Sequence, residues 1–274
     1  MDRSFWRVIA NDENALPQGE WVAELTPELR DEFAYRILAA WIERGQYGHD
    51  QLRTMAKQMT ANLEAGLGEQ GTDSVYLRTY SVLILMEIVA YDNANPFLDQ
   101  ADLDGFLEAA LGYLLRERDL RSWVPGPGWA NAVGHTADLL MMLARSPHLG
   151  AVELQRILDA IADRLLTPAP VVFVHHEDER LAYATLNVLR RDLVDRTWLV
   201  AWLDRFTAAP GQESWRAAYA SEAESAARAN VTAFLRSLYF QLLLTESPPP
   251  DAQRTSDAVL VTIRRADIGF YDLA

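Results

Sequence analysis

The chain has 274 residues, half of them apolar, enough to bury a sizeable core and to set disorder aside. Its 39 acidic residues outnumber 25 basic ones, and a formal charge of −14 repels phosphate backbones and anionic lipid, so neither nucleic acid nor a membrane is expected as a partner. Without any cysteine there is no disulfide framework, no thiolate zinc site and no cysteine nucleophile.

The opening, MDRSFWRVIANDENALPQGE, lacks the apolar stretch of a secretion signal. The most apolar run, residues 82–86, is cut by Glu87 far short of the roughly 20 residues of a membrane span. A cytoplasmic protein is the expectation. Thr26 and Pro27 cap and open a helix on which Leu29, Phe33, Ile37 and Trp41 make one stripe until Gly45 stops it. Asp50 is placed to cap a second helix carrying Leu52, Met55, Met59 and Leu63, ended by Gly66 and Gly68. A third begins after Asp73 and runs through YLRTYSVLILMEIVAYD, apolar on nearly every side and so central to the core. A fourth covers about 101–118. Beyond a Gly/Pro loop, helices are predicted near 128–145, 152–166, 177–191 and 196–207. A long or broken helix spans 214–245. After the SPPP linker at 247–250, the element holding Val259 and Ile263 reads equally as helix or strand.

Strand-like alternation is nearly absent, so the fold class is all-α. Many helices with short links suggest antiparallel hairpins stacked as a HEAT- or armadillo-like α-solenoid. No clean repeat is visible, and an α/α toroid or an irregular bundle would show the same pattern. The organisation expected is one helical domain over 1–246 with a short appendage, 247–274, packed on it.

The chemistry concentrates in DLRSWVPGPGWANAVGHTADLL, residues 119–140. On a helix opening at Gly128, the residues Asn131, His135, Asp138, Met142 and Arg145 share one face, while Trp129, Val133, Ala137, Leu140 and Ala144 face the other way. Asn131, His135 and Asp138 at i, i+4 and i+7 could converge on one ligand or hydrogen-bond one another, and a carboxylate one turn from an imidazole raises its basicity. The plain alternative is the wet face of an amphipathic helix. No metal site is expected, because asparagine is a poor ligand and few other histidines exist to complete a set. The loop WVPGPGW offers the faces of Trp123 and Trp129, which either stack on a sugar or base or, more commonly, plug the gap between consecutive helices. Arg121 can pair with Asp119 or with the polar helix. In HHEDERLAYA, Glu177, Asp178 and Glu179 fall in a helical first turn, where negative charge meets the positive end of the dipole, and Arg180, Asn187 and Arg191 share a face beyond it. No nucleotide-binding glycine loop, HExxH, GxSxG or EF-hand pattern occurs, and no cofactor is expected.

Four blocks in order, TDSVYLRTYSVLILMEIVAYDNANPFL (72–98), DLRSWVPGPGWANAVGHTADLL (119–140), EDERLAYA (177–184) and NVTAFLRSLYFQL (230–242), carry a resemblance to the bacterial family of domains of unknown function numbered 2785. The resemblance implies an all-helical, HEAT-like fold and no assigned activity. Members of that family commonly read GWAHxxAHxAD, with histidine where this chain has Asn131, so a mechanism needing both imidazoles is in doubt while a binding role tolerates asparagine.

Three functions follow. The first is a binding scaffold that holds a protein segment or small polar ligand on Trp123, Trp129, Asn131, His135, Asp138, Arg121, Glu179 and Arg180. The second is a glycosidase-like hydrolase using Asp138 or a carboxylate near Glu177. The third is an internal polar network with no ligand.

Overall fold

The structure, a computed structural model, describes residues 34–266 and Tyr271, and among these residues it is mostly helical with little strand. The cap and first half of the expected opening helix, including Thr26, Pro27, Leu29 and Phe33, lie outside the described residues. The chain divides into two compact units, Met1–His148 and Leu149–Ala274.

In the first unit, α1 (Arg36–Glu43) buries Ile37, Leu38, Trp41 and Ile42. It stops where Gly45 takes φ +66°, a conformation costly to other residues. Helix α2 (His49–Asn62) starts one residue before the expected cap: Asp50 lies inside it, and Gly48 is the N-cap, its N–H donating to Gln51 Oε1 at 2.8 Å. Helix α3 (Ser74–Ala94) is buried on almost every side, and α4 (Gln100–Arg116) is capped by Asp99, which accepts from the N–H of Asp102 at 2.9 Å. The turn between α3 and α4 is tied by buried Asp92, whose Oδ1 accepts from the N–H groups of Phe97 and Leu98, both at 2.7 Å. Helix α3 packs against α1, α2 and α5 (Ala132–Arg145), and α5 also packs on α4. Being enclosed explains why α3 has no polar face. It has the length and composition of a marginal membrane span, beyond the five-residue run noted in the sequence, and most of it is buried inside the protein as a core helix is.

Between α4 and α5 the chain forms a short antiparallel hairpin, β1 (Trp123–Val124) with β2 (Gly128–Trp129). This replaces the first turn of the helix expected to open at Gly128. Gly126 and Gly128 take φ +90° and +84°, and pairing of Trp123 with Trp129 carries the chain round before the helix starts.

The second unit holds α6 (Ala151–Leu166), α7 (Glu177–Arg190), α8 (Arg196–Asp204) followed by a tight 3₁₀ turn (Arg205–Thr207), a second 3₁₀ turn (Trp215–Tyr219), α9 (Glu222–Leu244) and α10 (Ala252–Ala266). The stretch read as long or broken is thus broken, and the terminal element is a helix. Helix α9 packs against α6, α7 and α10, and α10 also packs on α8. The core centres on Trp202, Phe206 and Phe234, with ring centroids 5.0–6.2 Å apart, and the Trp202 indole N–H donates to Leu158 O at 2.8 Å. Arg190 fastens the start of the proline-rich connection, donating to Ser247 O and Thr245 Oγ1, both at 2.9 Å. The C-terminal residues therefore belong to the second unit's packing. The division between the two units lies in the short turn between α5 and α6.

Candidate functional site

Helix α5 was expected to show water a polar face. From Ala132 to Leu140 it is buried except at Asp138, because α3 covers one side and α4 another. Its polar groups are accordingly matched. Asn131 is the N-cap, held at φ +42°, and its Oδ1 accepts from the N–H of Gly134 at 3.2 Å. A Cβ on residue 134 would meet the Asn131 amide at 2.6 Å, so the Asn131 side chain occupies space that only glycine leaves open. One turn on, His135 is 7% exposed; its Nδ1 shares a 2.7 Å hydrogen bond with Thr79 Oγ1, and its ring meets Tyr80 edge-on at 5.8 Å.

Half-buried Asp138 joins a cluster the sequence reading did not assemble. The Tyr35 hydroxyl donates to Glu87 Oε1 at 2.7 Å, and the Tyr35 ring stands edge-on to Tyr80 at 6.3 Å. Burial pushes the Tyr35 phenol well up, and the negative charges of Glu87 and Asp138 push the same way. Burial also raises the Glu87 carboxyl, helped by the charge of Glu43 and opposed by the bond from Tyr35. Thr79 and Glu87 were visible only as polar interruptions of an apolar helix.

The hairpin base is braced by a second group absent from the expectation. Fully buried Arg78 donates through Nε to Glu117 Oε2 at 2.6 Å and through Nη1 to Ala65 O and Ser74 Oγ, both at 2.8 Å. Glu117 Oε1 accepts from the N–H groups of Arg118 and Asp119, both at 2.9 Å. Asp119 then takes Arg121 through both oxygens, at 2.8 and 2.6 Å, and accepts the N–H of Gly71 at 3.0 Å, while Arg121 reaches Thr72 O at 3.0 Å. The bond to Asp119 raises the Arg121 pKa. Arg121 is therefore a brace joining residues 71–72 to the hairpin.

On that brace the two tryptophans sit in the open. Trp123 is 49% and Trp129 37% exposed, with ring centroids 5.0 Å apart and planes at 68°. They pack edge-to-face on each other. The strand ends continue into α5 through Ala130 N–H to Ser122 O (2.7 Å) and Asn131 N–H to Arg121 O (3.0 Å).

Glu179 and Arg180 belong to the second unit. Glu179 bonds His176 Nδ1 at 2.9 Å on the surface, and its carbonyl accepts from Gln241. Buried Glu177 accepts the N–H of His175 at 2.8 Å, and Asp178 accepts from Ser237 Oγ at 2.7 Å. Glu177 and Glu179 thus hold the entry to α7 while Asp178 ties it to α9, and the half-buried Arg180 contributes its N–H to His176 O at 3.0 Å. An open cleft of about 710 Å³ in this unit is bounded by Leu166, Pro168, Arg205, Ala208 and Pro210 among others, and none of the candidate residues lines it. Among the described residues no three His, Asp or Glu side chains converge as a metal ion would require.

No curated protein and no solved structure matches the chain. The family described as a protein of unknown function (DUF2785) matches residues 63–240, which hold α3 to α5, the tryptophan hairpin, and α6 to most of α9. Since that match spans more than half of the sequence, the chain belongs to the DUF2785 family.

Proposed function

We propose that this protein is a binding scaffold of stacked helical hairpins, HEAT-like in kind, which holds a basic segment of a partner protein on the Trp123–Trp129 hairpin. The observation that carries the reading is the pair of exposed indoles on a base locked by Arg78, Glu117, Asp119 and Arg121. Tryptophan is the residue most enriched where binding energy concentrates, and a braced hairpin leaves little ordering cost to be met on binding. The formal charge of −14 selects a cationic partner, and an indole face attracts a guanidinium. The half-open carboxylates of Glu87 and Asp138 add negative potential in the same unit. Asn131 and His135 are engaged internally, in the cap of α5 and with Thr79. The hydrolase reading loses support because Glu177 and Glu179 bond His175 and His176 at the start of their own helix and Asp178 bonds Ser237 of α9.

The test is fluorescence anisotropy with a labelled peptide of repeated Arg-Gly, against the wild type and the Trp123→Ala/Trp129→Ala variant. About tenfold weaker binding by the variant, with unchanged helical circular dichroism, supports the reading. Equal affinity for the two proteins refutes it.

A further inference from the structure

Between α6 and α7 the chain crosses the second unit as Val171-Val172-Phe173-Val174-His175, and its burial alternates. Phe173 is buried, whereas Val172 and Val174 are 48% and 68% exposed. Asn230 of α9 holds one edge as a neighbouring strand would: its Oδ1 accepts the N–H of Phe173 at 2.8 Å and its Nδ2 donates to Val171 O at 2.9 Å. His175 N–H, next along the same edge, is taken by Glu177 Oε2 at 2.8 Å. In an extended chain the N–H and C=O of alternate residues point to opposite edges. The groups of Val172 and Val174 therefore point away from Asn230, and none of them has a hydrogen-bond partner among the described residues.

We infer that this segment is a docking edge which accepts an extended, basic peptide from another protein by main-chain pairing at Val172 and Val174. Unpaired edges carrying β-branched apolar side chains are templates for strand addition, in which main-chain bonds supply affinity and alternate side chains supply selection. Charge decides the occupant. Two copies of a chain of formal charge −14 repel each other, and the edge runs into the first turn of α7, where Asp178 is half-buried and Glu179 exposed. A paired strand thus meets carboxylates at the end nearest His176, where lysine or arginine fits, and covers Val172 and Val174 with apolar residues at alternate positions. The inference rests on different residues from the tryptophan pair and does not require it.

The probe is a labelled nonapeptide alternating valine and lysine, beside the same peptide N-methylated at alternate residues. Val174→Pro removes an outward N–H and leaves both Asn230 bonds in place; Val172→Thr/Val174→Thr keeps the backbone groups and strand preference. Expected are binding by the wild type, about tenfold or greater loss in Val174→Pro with an unchanged Tm, loss with the N-methylated peptide, and affinity in the threonine variant within about threefold of wild type. In the Trp123→Ala/Trp129→Ala background the Val174→Pro loss persists, which separates the two surfaces. Equal binding by Val174→Pro, equal binding of the methylated peptide, or no wild-type binding at about 1 mM overturns the inference. So does a wild-type dimer in solution that Val174→Pro converts to monomer, since the occupant would then be a second copy.

Discussion

Replacing Glu117 with alanine strands a charge that has no exit. Arg78 lies on a helix enclosed by α1, α2 and α5, has no exposed surface, and keeps only the Ala65 carbonyl and the Ser74 hydroxyl once the carboxylate is gone. Its Nη2 already lacks a hydrogen-bond partner. Breaking a buried ion pair from one side costs about 3–5 kcal/mol. The freed N–H of Arg118 regains water at the surface, but that of buried Asp119 does not and adds about 1 kcal/mol. A total of about 4–6 kcal/mol is comparable with the whole stability of a small unit, about 5–15 kcal/mol. With a urea slope of about 2 kcal/mol per molar, the midpoint falls by about 2–3 M. Urea unfolding by circular dichroism measures the loss, and hydrogen exchange of α3 amides assigns it to the first unit. The double variant Arg78→Met/Glu117→Gln removes both charges at similar volume and should recover at least half of the loss. A Glu117→Ala cost below about 1 kcal/mol, or a double variant no more stable than the single, refutes the reasoning.

Thr79→Val keeps the shape of its site but leaves His135 Nδ1 without that bond, and should cost about 1–3 kcal/mol by urea denaturation. At the N-cap of α5, Asn131→Ala loses the bond to Gly134 and must hold φ +42°, for about 2 kcal/mol, whereas Asn131→Gly costs a few tenths; equal losses for the two would exclude the left-handed conformation as a cause. Gly134→Ala drives a Cβ into the Asn131 amide and should lower Tm, with most of the loss reversed in the Asn131→Gly background. Glu87 binds its proton more tightly folded than unfolded, so stability is unaffected below the unfolded pKa and falls as pH rises from there through the raised folded value. Glu87→Gln, whose carbonyl still accepts from Tyr35, should therefore flatten that fall and raise Tm at neutral pH; a steeper decline in the variant would contradict it.

The helices were legible because their signals are local. The run of apolar residues through α3 and the glycines after α1 and α2 act within a turn or two of where they sit. The hairpin was misread as helix because Gly128 and Trp129 suit a helical first turn by spacing, and only their pairing with Trp123 and Val124 shows otherwise. The candidate site was legible in part. Trp123 and Trp129 were singled out, but exposure depends on what covers them, and helix-gap packing was the commoner expectation. Asn131 and His135 were found by spacing and then proved to be turned inward, while the Thr79–His135, Tyr35–Glu87 and Arg78–Glu117 contacts join residues 56, 52 and 39 positions apart, which periodicity does not encode.

By itself the sequence determined the helical class, the order of the elements and the strongly acidic surface, because periodicity, capping and charge are properties of neighbouring residues or of their sum. Only the tertiary structure decided which polar residues are internal ties and which side chains stay exposed. That choice depends on α3 and α4 closing over α5 and on a buried Arg78–Glu117 pair holding the tryptophan hairpin outward, contacts between segments whose separation along the chain carries no local signal.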